Sequence, residues 1–181
     1  MTFAVDVRRS LAGAWELDPV HSSIGFEVPY LSGTFKGQFR DAEAKLTVDD
    51  GKGRLDGIAR VASVDVKDEN LSAHLQSPDF FDAERHPELL FSAHDLDLDD
   101  ETVSVSGTLS IKGVVRPADV TGTLTPPMVD AFGRERIGLV LTTTVDRREF
   151  GVDYRMPLPS GEQAIGDEVT VVAELYFIRG S

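Results

Sequence analysis

Thr102-Val-Ser-Val-Ser-Gly-Thr-Leu-Ser-Ile111 is the stretch that decides how this chain folds. Val103, Val105, Leu109 and Ile111 share one parity, while Thr102, Ser104, Ser106, Thr108 and Ser110 hold the other. Successive side chains of a strand point to opposite faces, so a period of two marks a strand with one buried side. Two more segments repeat the pattern. One carries Ile137, Leu139, Leu141, Thr143 and Val145, and the other Val169, Val171, Ala173, Leu175 and Phe177.

Working outward, Ile24, Phe26 and Val28 predict a strand that Pro29 ends. In Leu31 to Phe39 two phenylalanines lie four apart, which reads as a helical turn running into a strand. Ala42–Val48 and Arg54–Val66 flank Asp49-Asp-Gly-Lys-Gly53, a hairpin signal, with a bend expected near Gly57. Asp68 predicts an N-cap for a helix carrying Leu71, His74 and Leu75, which Pro78 stops. Strand character returns at Leu89–Asp97, and Val114–Leu124 is expected to end at Pro126-Pro127. The segment 146–167 is irregular, and the total is about eight strands with one helix. A closed barrel and a sandwich both satisfy this periodicity.

The 181 residues are most simply one domain, read as an arm over residues 1–13 and a body over 14–181. The chain has no cysteine, which excludes disulfides and thiolate chemistry. A net charge of -13 disfavours nucleic acid and anionic membrane surfaces as partners. Arg8-Arg9 is followed too soon by Glu16 and Asp18 for an export signal. No apolar run is long enough to span a bilayer, so a cytoplasmic protein without stable membrane insertion is expected.

Chemistry-bearing patterns are sparse. His21, His74, His86 and His94 follow no metal-ligand spacing, so no metal is expected. G-x-S-x-G is absent, and the carboxylates cluster in turns; no catalytic residue is assigned. The phenylalanines are more telling. Phe26, Phe35, Phe39, Phe80, Phe81, Phe91 and Phe150 gather at strand ends and around the helix, as the rim of an apolar cup would require. Tyr154 and Trp15, each with a polar tip, could join that rim. Arg147-Arg148 and the Lys112–Arg116 corner could meet an anionic head group, with ordinary surface charge as the competing reading.

Several blocks together resemble one family. Trp15-Glu-Leu-Asp-Pro-Val-His-Ser-Ser-Ile-Gly-Phe26 is similar to the opening motif of the YceI-like family of bacterial lipid-binding proteins. Asn70-Leu-x-x-His74-Leu, Ser77-Pro-Asp-Phe-Phe-Asp82 and His86-Pro-Glu-Leu-Leu-Phe-Ser92 resemble its central block. Gly107-Thr-Leu-Ser-Ile-Lys-Gly-Val-Val-Arg-Pro117 resembles its corner, and Arg147-Arg-Glu-Phe-Gly151 with Ile165-Gly-Asp-Glu-Val169 its C-terminal pair. The resemblance implies an all-β, eight-stranded antiparallel, lipocalin-like barrel with one short helix near the opening. It also implies an elongated apolar cavity for polyisoprenoid chains, such as isoprenoid quinones or prenyl phosphates.

On that expectation the protein is a carrier, storage or sequestering protein, with an enzyme acting on a long-chain lipid as the alternative. No cofactor is expected beyond a co-purified isoprenoid or other long-chain lipid, and a homodimer is compatible with the resemblance. Parity assigns the lining to Ile24, Phe26, Val28, Val103, Val105, Leu109, Ile111, Leu139, Leu141, Val171 and Leu175. Phe35, Phe39, Phe91 and Phe150 add to it, with Phe80, Phe81 and Tyr154 near the opening. At about 0.3 kcal/mol per heavy atom, a tail of about forty carbons would contribute about 12 kcal/mol, so no charged clamp is required.

Overall fold

A computed structural model describes residues 10–180. Its chain begins with β1 (Gly13–Leu17), β2 (Ser23–Tyr30), β3 (Gly33–Phe39), β4 (Ala42–Asp49) and β5 (Lys52–Arg60). A 3-10 turn, Val61–Ser63, leads into β6 (Val64–Asp65), and the helix α1 (Glu69–Leu75) follows. Then come β7 (Glu88–Asp97), β8 (Thr102–Ile111), β9 (Val114–Val129), β10 (Glu135–Asp146) and β11 (Glu168–Arg179).

All pairings between these strands are antiparallel, and the sheet closes on itself. Closure falls to β11. Its C-terminal residues pair with β1 (Leu17↔Phe177, Trp15↔Arg179), and its first half pairs with β2 (Ala173↔Ile24, Thr170↔Glu27). Hence β1 and β2 form one interrupted strand along β11, with 18–22 looping out between them. β3 with β4, and β5 with β6, are interrupted in the same way, because β3 pairs with β2 and β6 while β4 pairs with β1 and β5. Counted so, eight strands wind up and down into one closed antiparallel barrel, the arrangement that leaves no free edge.

Local chemistry explains several joints. At the β4–β5 turn Asp50 and Gly51 both take positive φ, 48° and 75°, the two-residue hairpin that Asp-Gly favours. Asp68 caps α1, its side chain accepting from the Leu71 N–H at 2.8 Å. The structure corrects three expectations about strand limits. Leu31 to Phe39 contains no helical turn: β2 and β3 form a hairpin about Leu31-Ser32, and a spacing of four suits one strand face as well as one helix face. Strand β5 shifts register between Gly53 and Leu55 rather than near Gly57. Finally, β9 runs through Pro126-Pro127, which sit in a register shift opposite Ile137 where ladder donors are not needed.

The two ends of the barrel differ. Where β1 begins and the β4–β5, β7–β8 and β9–β10 turns lie, Leu11, Trp15, Leu46, Leu96, Leu98, Val103, Leu139 and Phe177 are all completely buried. The Trp15 indole N–H donates to the Leu11 carbonyl at 2.8 Å, and the Arg179 guanidinium lies 4.3 Å from the ring centroid. Trp15 therefore does not join the rim; it plugs the opposite end, its polar edge satisfied by backbone. Of the expected arm, residues 1–9 lie outside the described residues, whereas Leu11 is fully buried in this plug.

A charged network ties the 18–22 loop to the β9–β10 turn. Arg136 donates to Asp18 at 2.7 Å and to Asp130 at 2.6 Å, and Asp18 also bonds the His21 ring at 2.6 Å and accepts from the Val20 N–H at 3.0 Å. Burial pushes the Asp18 carboxyl up, but Arg136, His21 and the Val20 amide outweigh it and hold its pKa at about 2.

Replacing Trp15 by alanine should cost about 3–5 kcal/mol of stability, read from the urea midpoint, because the plug cannot collapse into the vacated space. Acid should act through Asp18. Its pKa is depressed from 3.8, so its contribution is complete above pH 3.8 and is lost as pH falls through about 2. The fall in midpoint over that window should be shallower in Asp18→Asn than in the unmodified protein.

Candidate functional site

The other end of the barrel is open and collects the β2–β3 tip, α1 with its flanking loops, the β8–β9 tip and the connection 147–167. Beneath them lies an apolar cavity of about 380 Å3. The inward parity of each strand lines it: Ile24, Phe26 and Val28 from β2, Phe35 and Phe39 from β3, Leu109 and Ile111 from β8. Leu141 and Val145 of β10 and Val169, Val171, Ala173 and Leu175 of β11 complete the opposite wall.

Aromatic rings shape the opening. Phe26 lies 5.7 Å from Phe39 and 6.3 Å from Phe81, centroid to centroid, and 6.4 Å from Phe35. A Cβ at Gly37 would fall 2.4 Å from Cζ of Phe26, so glycine there makes room for the ring. A second group joins α1 to the connection: Phe80 is 4.9 Å from Tyr154 and 5.0 Å from His74, which is 5.3 Å from Tyr154. His74 also bonds Asp79 at 3.1 Å. At the β8–β9 tip Lys112 Nζ donates to the Pro78 carbonyl at 2.7 Å and to that of Gly151 at 3.2 Å, tying three mouth segments together.

The connection 147–167 is held across the mouth from both sides. Leu31 N–H donates to the Ala164 carbonyl, and Gly166 N–H to that of Pro29, each at 2.8 Å. Just past the end of β10, Arg147 continues the inward parity of Leu141, Thr143 and Val145 and is only 6% exposed. Its Nε donates to the Gly166 carbonyl and its Nη1 to that of Val152, both at 2.8 Å. Nη2 stands 3.5 Å from Asp167 and makes no hydrogen bond. Burial lowers the Arg147 pKa, with Asp167 opposing that shift. Arg148 instead turns outward onto Asp146, at 2.7 Å.

Measured against the cavity, the parity assignment divides by depth. Phe80, Phe81, Phe91, Phe150 and Tyr154 line it together with the residues of β2, β3, β10 and β11 named above. Val103, Val105 and Leu139 do not. They point inward as expected but lie nearer the plugged end, where Val103 and Leu139 are fully buried and Val105 packs against the same core. Parity reports the face of a strand, whereas depth depends on what other strands place at that level. Sequence reasoning passed over Val145, Val169 and Ala173, which share parity with residues it chose. It also missed Leu71, His74 and Leu75 of the helix, and Ala44, Leu55 and Ala59 of the less regular strands β4 and β5. Val152, Met156 and Ile165 reach the cavity from an irregular connection whose course no periodicity could give. Among the described residues, no group of three or more His, Asp or Glu side chains is placed to hold a metal ion, and no helix is long and apolar enough to cross a membrane.

The model of the YceI-like domain matches residues 15–177. The chain belongs to the YceI-like family. A UPF0312 protein of Pseudomonas putida is 28% identical to this YceI-like chain over 162 residues, covering 83% of it and 82% of the relative. A UPF0312 protein of Staphylococcus epidermidis is 26% identical over 171 residues, covering 90% and 96%. Among solved structures, Burkholderia cenocepacia BcnA superposes with a TM-score of 0.75 at 20% identity, covering 88% of this chain and 98% of its own. A polyisoprenoid binding domain from Saccharophagus degradans, implicated in plant cell wall breakdown, gives 0.70 at 15% identity, covering 92% and 98%. At these identities the structural matches establish the lipocalin-like barrel alone.

Arg147 holds the connection at the mouth of this YceI-like barrel from beneath. Arg147→Met should keep the apolar stem and lose both bonds to carbonyl oxygens, at about 1.5–3 kcal/mol each. Amide hydrogen exchange should accelerate across 147–167 while β8 and β9 remain protected. Unchanged exchange in the connection would show that other contacts hold it.

Proposed function

We propose that this protein binds an isoprenoid lipid of the quinone or prenyl phosphate type within the barrel, as a carrier, storage or sequestering protein. The observation that carries the reading is an apolar cavity of about 380 Å3, floored by a packed core and rimmed by aromatic rings. A hydrocarbon tail is what such a space rewards, at about 0.8 kcal/mol for each methylene removed from water. That the Saccharophagus degradans neighbour is a polyisoprenoid binding domain supports the same chemistry.

Binding without turnover is the better reading of the polar groups beside the cavity. Thr143 donates its hydroxyl to the Asp119 carbonyl at 2.8 Å, and Arg147 is engaged with backbone carbonyls. Thr143 is not paired with a base in the manner of an activated nucleophile, and the His74 ring, which bonds Asp79, has no hydroxyl bonded to it among the described residues. The polar groups at the mouth would meet the lipid's head, while cavity shape selects the tail.

Solvent extraction of the purified protein followed by mass spectrometry should return an unmodified isoprenoid at close to one per chain. Incubation with a prenyl lipid should give it back unaltered, and a new product would instead support the enzyme. Leu141→Trp and Ile111→Trp should each fold and lose uptake, since both positions line the cavity. Full uptake by both variants would remove the cavity as the binding site.

A further inference from the structure

The barrel is hollow over only part of its length, and the depth of the filled part bears on which tails it can hold. Along β10 the deepest residue lining the cavity is Leu141, with Leu139 packed below it. Along β11 it is Leu175, with Phe177 below, and along β9 it is Val120, with Leu124 below. Those three underlying residues are 0–2% exposed. On the facing wall, Gly107 leaves room for the Phe91 ring: a Cβ there would stand 2.8 Å from two ring carbons, so the ring presses onto the strand at that level. The floor is thus built from several strands at once.

Two independent measures set the size of what fits. A dry apolar cavity of roughly 150 Å3 holds one six-carbon ring, so 380 Å3 corresponds to about 15 carbon atoms. The lined stretch of β11 runs from Val169 to Leu175. At about 3.3 Å per residue and a strand tilt of about 40°, that is roughly 15 Å of depth along the barrel axis, about the extended length of three isoprene units.

Resting on the lipid-binding reading above, we propose that the cavity selects for a hydrocarbon tail of about three isoprene units. Longer polyprenyl chains enter by one end only and leave the remainder outside the mouth formed by Tyr30, Leu71, Tyr154 and Met156. Units beyond the third bury no further surface in the protein. Chain length is therefore read by the Leu109, Val120, Leu141 and Leu175 floor, while the mouth reads the head group.

The test is a titration of delipidated full-length protein with geraniol, farnesol, geranylgeraniol and solanesol, by competition against a bound fluorescent fatty acid. Affinity should rise about tenfold, some 1.4 kcal/mol, from geraniol to farnesol. It should change by less than about threefold across the two longer alcohols, which add units that find no surface. A further tenfold gain at each step would overturn the length limit while leaving lipid binding intact. No binding by any alcohol, with an empty extract from purified protein, would overturn the lipid reading itself and the limit with it. A second variant locates the limit. Ala173→Leu fills open cavity space rather than the core, so it should fold and bring the plateau down to geraniol; a plateau left at farnesol would show that the floor does not set it.

Discussion

The structure depends on the divided pairing of β11. Its last residues lie beside β1 and its first half beside β2, so a single strand closes the sheet at both levels while 18–22 loops out between the partners. Eight strands wound without a free edge must turn one parity of every strand inward, and the interior is then filled or emptied according to side-chain size. If β11 paired with β1 alone, β2 and β3 would have no place in the wall and the open half of the barrel would lose its side.

Closure also separates the two ends by chemistry. At the plugged end, Trp15, Phe177 and several leucines meet in the interior, and their packing is dense enough to exclude water and ligand alike. Toward the mouth the inward positions include Ala44, Ala59 and Ala173, and the large rings stand around the rim. Small residues on the walls and large ones at the opening are what keep the space from collapsing. The packed core and the cavity therefore occupy different halves of one barrel, and the layer at Leu141 and Leu175 divides them.

The cover over the mouth is assembled from elements far apart in sequence. Lys112 bonds carbonyls of both the loop after α1 and the connection 147–167, while Arg147 bonds that connection from beneath. Both cations are satisfied mainly by backbone oxygen, so they fix the course of irregular chain instead of standing free at the surface. The sequence marked Arg147 and Lys112 only as basic residues that could meet an anion; their actual roles depend on neighbours no local pattern identifies.

Alternation in 102–111, 137–145 and 169–177 determined which side of each strand faces inward, because the pleat is a local property of the backbone. Asp50-Gly51 and Asp68 likewise act within a few residues, and the turn and cap they form were legible for that reason. Tertiary structure alone decided how far down the barrel is filled. Val103, Val105 and Leu139 carry the right parity and still lie beneath the cavity, because depth follows from strand tilt and from what the neighbouring strands contribute at the same level. It also decided where Trp15 goes and how 147–167 crosses the mouth, since Trp15 meets Arg179 and the connection meets Pro29 and Leu31, each from a segment far away in the sequence.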